Sequence, residues 1–327
     1  MKAVIVKQPG GIEQLKIDDV PAPEPRQGEL LIRVRAAALN RADILQREGN
    51  YPPPPGASEI LGLDVAGVVE HPGSGCKRYQ EGDRVFGLLP GGGCAQYAVI
   101  PEEMAMPIPG EFTFEQAAAV PEVFLTAFQG LFWIGRLQAE ETVLIHAGAS
   151  GVGTAAIQLA KTAGAVALTT TGTDEKCKRC RGLGAVRAVN YRSEDFAAAV
   201  LEHTQGAGVD LILDFVAAPY WEKNISVLRS DGRMVLISLM GGGIAEQVDL
   251  GQILKKRLQI SGTTLRSRPE EYKIRLTREF AEFGLNRLAD GRLKPVVDSI
   301  FPWTQVADAH AHMEANRNVG KIVLTID

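Results

Sequence analysis

Cysteine is scarce in this chain. Four in 327 residues are too few for a disulfide scaffold, so a reducing, cytoplasmic compartment is expected. Basic residues are in no excess either. Lys plus Arg number 35 against 39 Asp plus Glu, a formal charge of −4, which argues against nucleic acid as the main partner. No apolar run approaches the roughly 20 residues that span a bilayer, so no membrane partner is expected. The opening Met1-Lys2-Ala3-Val4-Ile5-Val6 does not read as a secretory signal, having no long apolar core before a small-residue cleavage site. What is present, 45% apolar and 23% charged residues, matches ordinary globular composition. The length predicts two domains.

Two rhythms divide the chain. Up to about residue 120, short β-rich runs (Ala3–Val6, Leu30–Val34, Val65–Val69) alternate with turns such as Pro52-Pro53-Pro54-Pro55-Gly56. This predicts a mostly β, barrel-like or sandwich-like domain. After Pro121, strands Val143–His146, Ala165–Thr169, Val186–Val189, Val209–Leu213 and Arg233–Ile237 alternate with helices Gly153–Ala163, Asp174–Leu183, Glu194–His203 and Pro219–Leu228. Such alternation predicts an α/β fold with a doubly wound parallel sheet. A strand-like run Leu258–Ser261, a helix Glu270–Leu288 and a strand Ile322–Ile326 follow; this tail is too short for a core of its own. The expected organisation is a β-rich domain at 1–121, an α/β domain at 122–263, and a segment 264–327 that packs back on an earlier domain.

The strongest local signal is His146-Ala147-Gly148-Ala149-Ser150-Gly151-Val152-Gly153, between a buried strand and a helix. Glycines there let the backbone approach a diphosphate, whose charge meets free N–H groups at the helix N-terminus. Two registers fit, Gly148-x-Ser150-x-x-Gly153 and Gly151-x-Gly153-x-x-Ala156. A nucleophilic Ser150 is disfavoured, because Val152 stands where the elbow pattern needs glycine. An NAD site usually carries an acid about 20 residues further on; here the chain reads Thr171-Gly172-Thr173. Gly172 leaves room for a 2′-phosphate, with Lys176 and Tyr191 as its candidate donors. Asp174 and Glu175 remain open, either as that acid in a shifted register or as first-turn carboxylates facing the helix dipole. The balance favours NADPH over NADH.

These residues, with Asn40-Arg41-Ala42-Asp43, Tyr51-Pro52-Pro53-Pro54-Pro55-Gly56, Gly62-Leu63-Asp64-Val65-Ala66-Gly67, Gly91-Gly92-Gly93-Cys94-Ala95-Gln96-Tyr97, Tyr220–Asn224, Leu239–Gly243, Leu265–Arg268 and Met313–Asn316, run almost the full length of the chain. Together they resemble the zinc-free quinone oxidoreductase branch of the medium-chain dehydrogenase/reductase superfamily. The resemblance implies a GroES-like catalytic domain beside a Rossmann domain, with a cleft between them for the nicotinamide. It implies NADPH-dependent reduction of small-molecule quinones and a homodimer. It also places Tyr51 near nicotinamide and substrate with Asn40 and Asp43 nearby, and Thr126 at the carboxamide. Lys176 and Tyr191 would meet the 2′-phosphate, Leu239-Met240-Gly241 and Leu265-Arg266 would line the cofactor, and Asn316 would lie at its adenosine end. Cys94, and in Glu122-Val123-Phe124-Leu125-Thr126 also Phe124, depart from the pattern and leave substrate preference open.

Zinc members of that superfamily carry a Gly-His-Glu turn. The matching Gly62-Leu63-Asp64 offers no such ligand set, so no metal is expected. Cys177-Lys178-Arg179-Cys180 has C-x-x-C spacing but no second ligand pair, and is expected to be ordinary helix surface. None of the five histidines stands out as a general acid; His310 and His312 fall on different faces of a helix. Quinone reduction needs little else, because the cofactor supplies the hydride and the protein supplies orientation. Tyr51 is the candidate for substrate contact and proton relay. The alternatives are an NADPH-dependent enone or enoyl reductase, and a cofactor-bound structural or RNA-associated protein of the kind found among relatives of zeta-crystallin.

Overall fold

The structure, a computed structural model, describes all residues from Met1 to Asp327. In chain order the strands are β1 (Lys2–Val6), β2 (Leu15–Asp19), β3 (Glu29–Ala38), β4 (Asp64–Pro72), β5 (Arg84–Leu88), β6 (Tyr97–Pro101), β7 (Ala105–Pro107), β8 (Thr142–Ile145), β9 (Val166–Thr171), β10 (Arg187–Asn190), β11 (Val209–Asp214), β12 (Leu228–Leu236), β13 (Gln259–Gly262), β14 (Val297–Pro302) and β15 (Lys321–Thr325). The chain forms two compact units, one of Met1–Leu125 with Leu265–Asp327, the other of Thr126–Thr264.

In the first unit the strand order is β14-β15-β3-β4-β5-β7, with β6 also pairing β3. Strand β3 shows why. Leu30, Ile32 and Val34 are buried while Arg33 and Arg35 face out, the period-two alternation of a sheet covered on one side. Pairing is antiparallel except between β14 and β15, which run parallel. Strand β14, with Asp298 and Ser299 among its residues, lacks a clean apolar alternation and is not evident from the sequence pattern.

The second unit is a six-stranded parallel sheet of order β10-β9-β8-β11-β12-β13. Counted from β8 this is 3-2-1-4-5-6, the doubly wound order of the Rossmann fold. All six residues of β11 are buried, as expected of a central parallel strand with helices on both faces. Leu144, Leu168, Val189, Ile212 and Met234 form its core with Phe196 and Val200. Element ends differ from the expected ones by a few residues, for local reasons. Strand β9 runs on to Thr171 because Val189 and Asn190 pair with Thr170 and Thr171. The helix expected at Glu194 begins at Phe196, because Asp195 caps it by accepting from Ala197 and Ala198 N–H.

Two expectations need correction. Cys177 and Cys180 are not helix surface; they are 3% and 0% exposed on the inner face of helix Asp174–Leu183. Cysteine packs there as a small apolar residue, and the Cys177 thiol meets the Thr171 hydroxyl at 3.0 Å. Secondly, the helical stretch Phe114–Ile134 is long and apolar enough by length and composition to cross a membrane, with 78% of an 18-residue part of it buried inside the protein. The sequence hides its length because Glu115, Gln116 and Glu122 interrupt the apolar run.

Candidate functional site

The glycine-rich turn expected to cradle phosphate follows β8. Ala147 adopts a left-handed φ of 50°, and Ser150 then caps helix Gly151–Thr162, its hydroxyl accepting from Gly153 N–H at 3.0 Å. Ser150 is thus a cap. The N–H groups of Gly151 and Val152 precede the first intrahelical bond and can face an anion. Two glycines are sterically required. A Cβ on Gly148 would collide with the Thr169 hydroxyl of β9, and one on Gly153 with the carbonyl of Ala147 and, at 2.7 Å, Cα of Gly148. The turn therefore lies close against the sheet, leaving a backbone-lined cradle of the shape a nucleotide diphosphate needs.

At the end of β9, Gly172 faces the following strand end. A Cβ there would lie 2.8 Å from the Tyr191 hydroxyl and 3.6 Å from Nε of Arg192. Thr173 caps helix Asp174–Leu183 by accepting from Lys176 N–H, so Lys176 sits in that helix's first turn. Asp174 accepts from the Asn190 amide at 2.8 Å, consistent with the first-turn carboxylate role. The structure brings Gly172, Tyr191 and Arg192 together; Arg192 escaped the sequence reading because nothing in the motif spacing marks it.

His146, fully buried, links four neighbouring segments. Its Nδ1 meets the Thr170 hydroxyl at 2.9 Å and its Nε2 the Asn224 carbonyl at 2.7 Å. The Asn224 amide donates to Asp214, whose other oxygen accepts from Val216 and Ala217 N–H. Burial pushes the imidazole pKa down, against the pull of Asp214, so His146 is neutral and serves as a tie rather than an acid. The turn after β11 in turn carries the loop of Leu239, Met240 and Gly241, through Met240 N–H to Phe215 and Gly241 N–H to Val216. Leu239 and Met240 are more than half exposed. The phosphate turn, Gly172 and this loop therefore all lie at the carboxyl ends of parallel strands, around the β8/β11 switch point where open α/β sheets bind ligands.

The first unit holds the remaining candidates apart from Thr126, the first residue of the second. Asp64, at 0% exposure, accepts from Lys321 Nζ at 2.9 Å, Asn40 Nδ2 at 2.8 Å and Glu122 N–H at 2.7 Å. Asp43 accepts from Asn40 N–H and Gly62 N–H, while the Asn40 carbonyl takes Lys321 Nζ at 2.6 Å. Burial raises the Asp43 carboxyl, opposed by those two backbone donors. Asn40 and Asp43 thus belong to one buried, internally satisfied network that fixes the start of helix Arg41–Arg47 and the loop before β4. Cys94 lies buried beside it, its thiol pushed well up by burial and by Asp43 and Asp64. No three His, Cys, Asp or Glu side chains gather to hold a metal ion.

Tyr51 lies with its ring 5.4 Å from the guanidinium of Arg266. Arg266 is 6% exposed and held by Pro90 O at 2.7 Å and the Gln46 side chain at 2.7 Å. Burial raises the Tyr51 phenol, Arg266 opposing and Glu122 adding, so Tyr51 is protonated at neutral pH. Leu265 is buried at 7% beside Arg266, and Thr126 at 5% on helix Pro121–Phe128. Asn316 takes a left-handed φ of 52° just past helix Val306–Glu314 and accepts from Arg41 at 2.7 Å. Asparagine tolerates that conformation, so its local role is helix termination.

Comparison with known proteins agrees with both units. The Alcohol dehydrogenase GroES-like domain family matches residues 26–110, and the Zinc-binding dehydrogenase family residues 151–282. Human quinone oxidoreductase is 31% identical over 332 residues, covering 100% of this chain and 98% of its own. Among solved structures, an NAD-dependent alcohol dehydrogenase is 33% identical with a TM-score of 0.88, each chain covered completely. Escherichia coli quinone oxidoreductase complexed with NADPH is 29% identical with a TM-score of 0.87 over the whole of both chains. The CurK enoyl reductase is 29% identical with a TM-score of 0.88, over 100% of this chain and 99% of its own.

Proposed function

The chain belongs to the medium-chain dehydrogenase/reductase superfamily, as an oxidoreductase served by a pyridine nucleotide, and from that premise we propose that it reduces quinones with NADPH and without a metal. The observation that carries the NADPH reading is the end of β9. Gly172 stands where an NAD site would present an acid, and the Tyr191 hydroxyl and Arg192 border it. Bound NADPH supplies the hydride. The protein's own part is orientation. The first-turn N–H groups of Gly151 and Val152 would hold the diphosphate, Lys176 and Tyr191 the 2′-phosphate, and Thr126 the carboxamide. By the family resemblance, Leu239–Gly241, Leu265 and Arg266 would line the cofactor, with Asn316 towards its adenosine end. Tyr51, kept protonated over Arg266, would contact the quinone and can give its oxygen a proton; water can do the same. Asn40 and Asp43 support this site from within their network.

The enoyl reductase likeness favours one second reading, reduction of an activated C=C bond, in which a well-placed proton donor matters more. Steady-state turnover of ortho-quinones, para-quinones and enones, each with NADPH and NADH, separates the readings. Quinone turnover with NADPH is the expected result. Turnover of enones alone would install the second reading, and no turnover with bound cofactor would point to a structural or RNA-associated role.

A further inference from the structure

Around Gly172 the structure gathers more positive charge than the motif alone supplies. The Arg192 side chain is solvent-exposed, yet its Nε lies 3.6 Å from where a Gly172 Cβ would be, on the side where the Tyr191 hydroxyl also lies. The strand end fixes the backbone from which this side chain extends. Tyr191 N–H donates to Thr171 O at 3.0 Å, and Arg192 N–H donates to the Asn190 side-chain carbonyl at 3.2 Å. The same Asn190 side chain uses its amide to hold Asp174 at 2.8 Å. One residue thus anchors the Arg192 backbone and engages the Asp174 carboxylate. Glu175, at the next position, is exposed.

We propose that Arg192 is a specificity-determining residue that recognises a phosphomonoester on the adenosine ribose, adding to Lys176 and Tyr191 a planar fork able to grip two phosphate oxygens. The inference rests on the NADPH reading of this site and goes beyond it. It assigns phosphate discrimination to a residue on the β10 side of Gly172, apart from the helix that carries Lys176. Because the guanidinium is exposed, its contribution is screened by salt. Loss of a charge-assisted contact corresponds to about a tenfold change or somewhat more in affinity.

The test is calorimetric titration of the full chain with 2′,5′-ADP and with 5′-ADP, for the wild type, Arg192→Gln and Arg192→Lys, at low and at moderate ionic strength, with folding checked by circular dichroism. The expected result is a wild type that prefers 2′,5′-ADP. Arg192→Gln should lose about tenfold on that ligand and little on 5′-ADP, Arg192→Lys should recover part of the loss, and the gap should narrow with salt. If the wild type binds both ligands equally, the NADPH reading fails and takes the inference with it. If the wild type discriminates and Arg192→Gln discriminates equally well, the NADPH reading stands and the role of Arg192 is overturned. Equal losses on both ligands would overturn it too, since Arg192 would then serve the adenine or the fold.

Discussion

Gly148 has no room for a side chain. A methyl group there would meet the Thr169 hydroxyl, which itself donates to Ile145 O at 2.6 Å, so neither neighbour yields cheaply. Gly148→Ala should move the turn off the sheet, cost about 1–3 kcal/mol of stability and weaken both NADPH and NADH in fluorescence titrations; unchanged binding would refute the cradle. On the proposed NADPH reading, Lys176 acts on one cofactor only. Lys176→Ala should weaken NADPH by about ten- to a hundredfold and leave NADH almost untouched, and Tyr191→Phe should do the same to a smaller extent. Equal losses would reduce Lys176 to a supporting role. A third residue sets acid sensitivity. Burial, with the Arg47 guanidinium adding, pushes His310 down to about 3, and its Nε2 has no hydrogen-bond partner. The unfolded chain binds this proton below about pH 6.5 while the fold resists it, so the contribution is complete above about 6.5 and lost as pH falls towards 3. His146, also shifted down by burial, acts in the same direction. Urea unfolding should show wild-type stability dropping by roughly 2 kcal/mol from this one group between pH 6.5 and 5. His310→Asn should flatten that limb; an unchanged slope would remove His310 from the account.

Elements turn these residues into a site. Helix Gly151–Thr162 starts where Ser150 caps it, so Ser150→Ala should cost about 1 kcal/mol and lower the melting temperature by roughly 2–4 °C. Quinone turnover should survive, which a nucleophilic serine would forbid. Tyr51 can be tested at the same level. Tyr51→Phe should lower enone reduction by about a hundredfold or more if its hydroxyl is the required proton donor, yet reduce quinone turnover only a few-fold, because water can protonate a quinone oxygen. The alternation of strand and helix was readable because central parallel strands such as Val209–Asp214 are apolar runs with few other uses. The glycine-rich turn was readable because only glycine fits at positions 148 and 153. Helix Asp174–Leu183 shows where reading stops. Its string of charges, Lys176, Lys178, Arg179 and Arg181, masks an inner face made of two cysteines, which sequence patterns rarely score as core. The polar network of Asn40, Asp43, Asp64 and Lys321 was equally hidden, because Lys321 lies 257 residues from Asp64 in the chain and no local spacing joins them. Arg192 was missed for a simpler reason: its position depends on how β10 pairs with β9.

For the whole molecule, the proposals are metal independence and self-association. Asp64, in the turn where zinc relatives would place a ligand, already accepts from Lys321, Asn40 and Glu122 N–H. Chelator treatment should therefore leave NADPH–quinone turnover unchanged, and stoichiometric zinc whose removal abolishes activity would contradict this. Self-association follows from the open side of the parallel sheet. Strand β13 has β12 on one side and no strand on the other, and its residues run exposed, intermediate, exposed, exposed. Unpaired backbone groups on such an edge invite another strand unless something blocks it. In the same unit, Ile244, Leu250 and Leu254 are 87%, 70% and 81% exposed, a cost in water that burial against a second copy would relieve. We therefore expect a homodimer at least, joined through the Leu258–Leu265 edge. A charge placed in that edge, Ile260→Lys, should shift light-scattering mass towards the monomer at micromolar concentration while nucleotide binding by the isolated subunit persists. A wild type that scatters as a monomer at that concentration would show that the edge is managed within the chain, and the exposed leucines would then require a different partner.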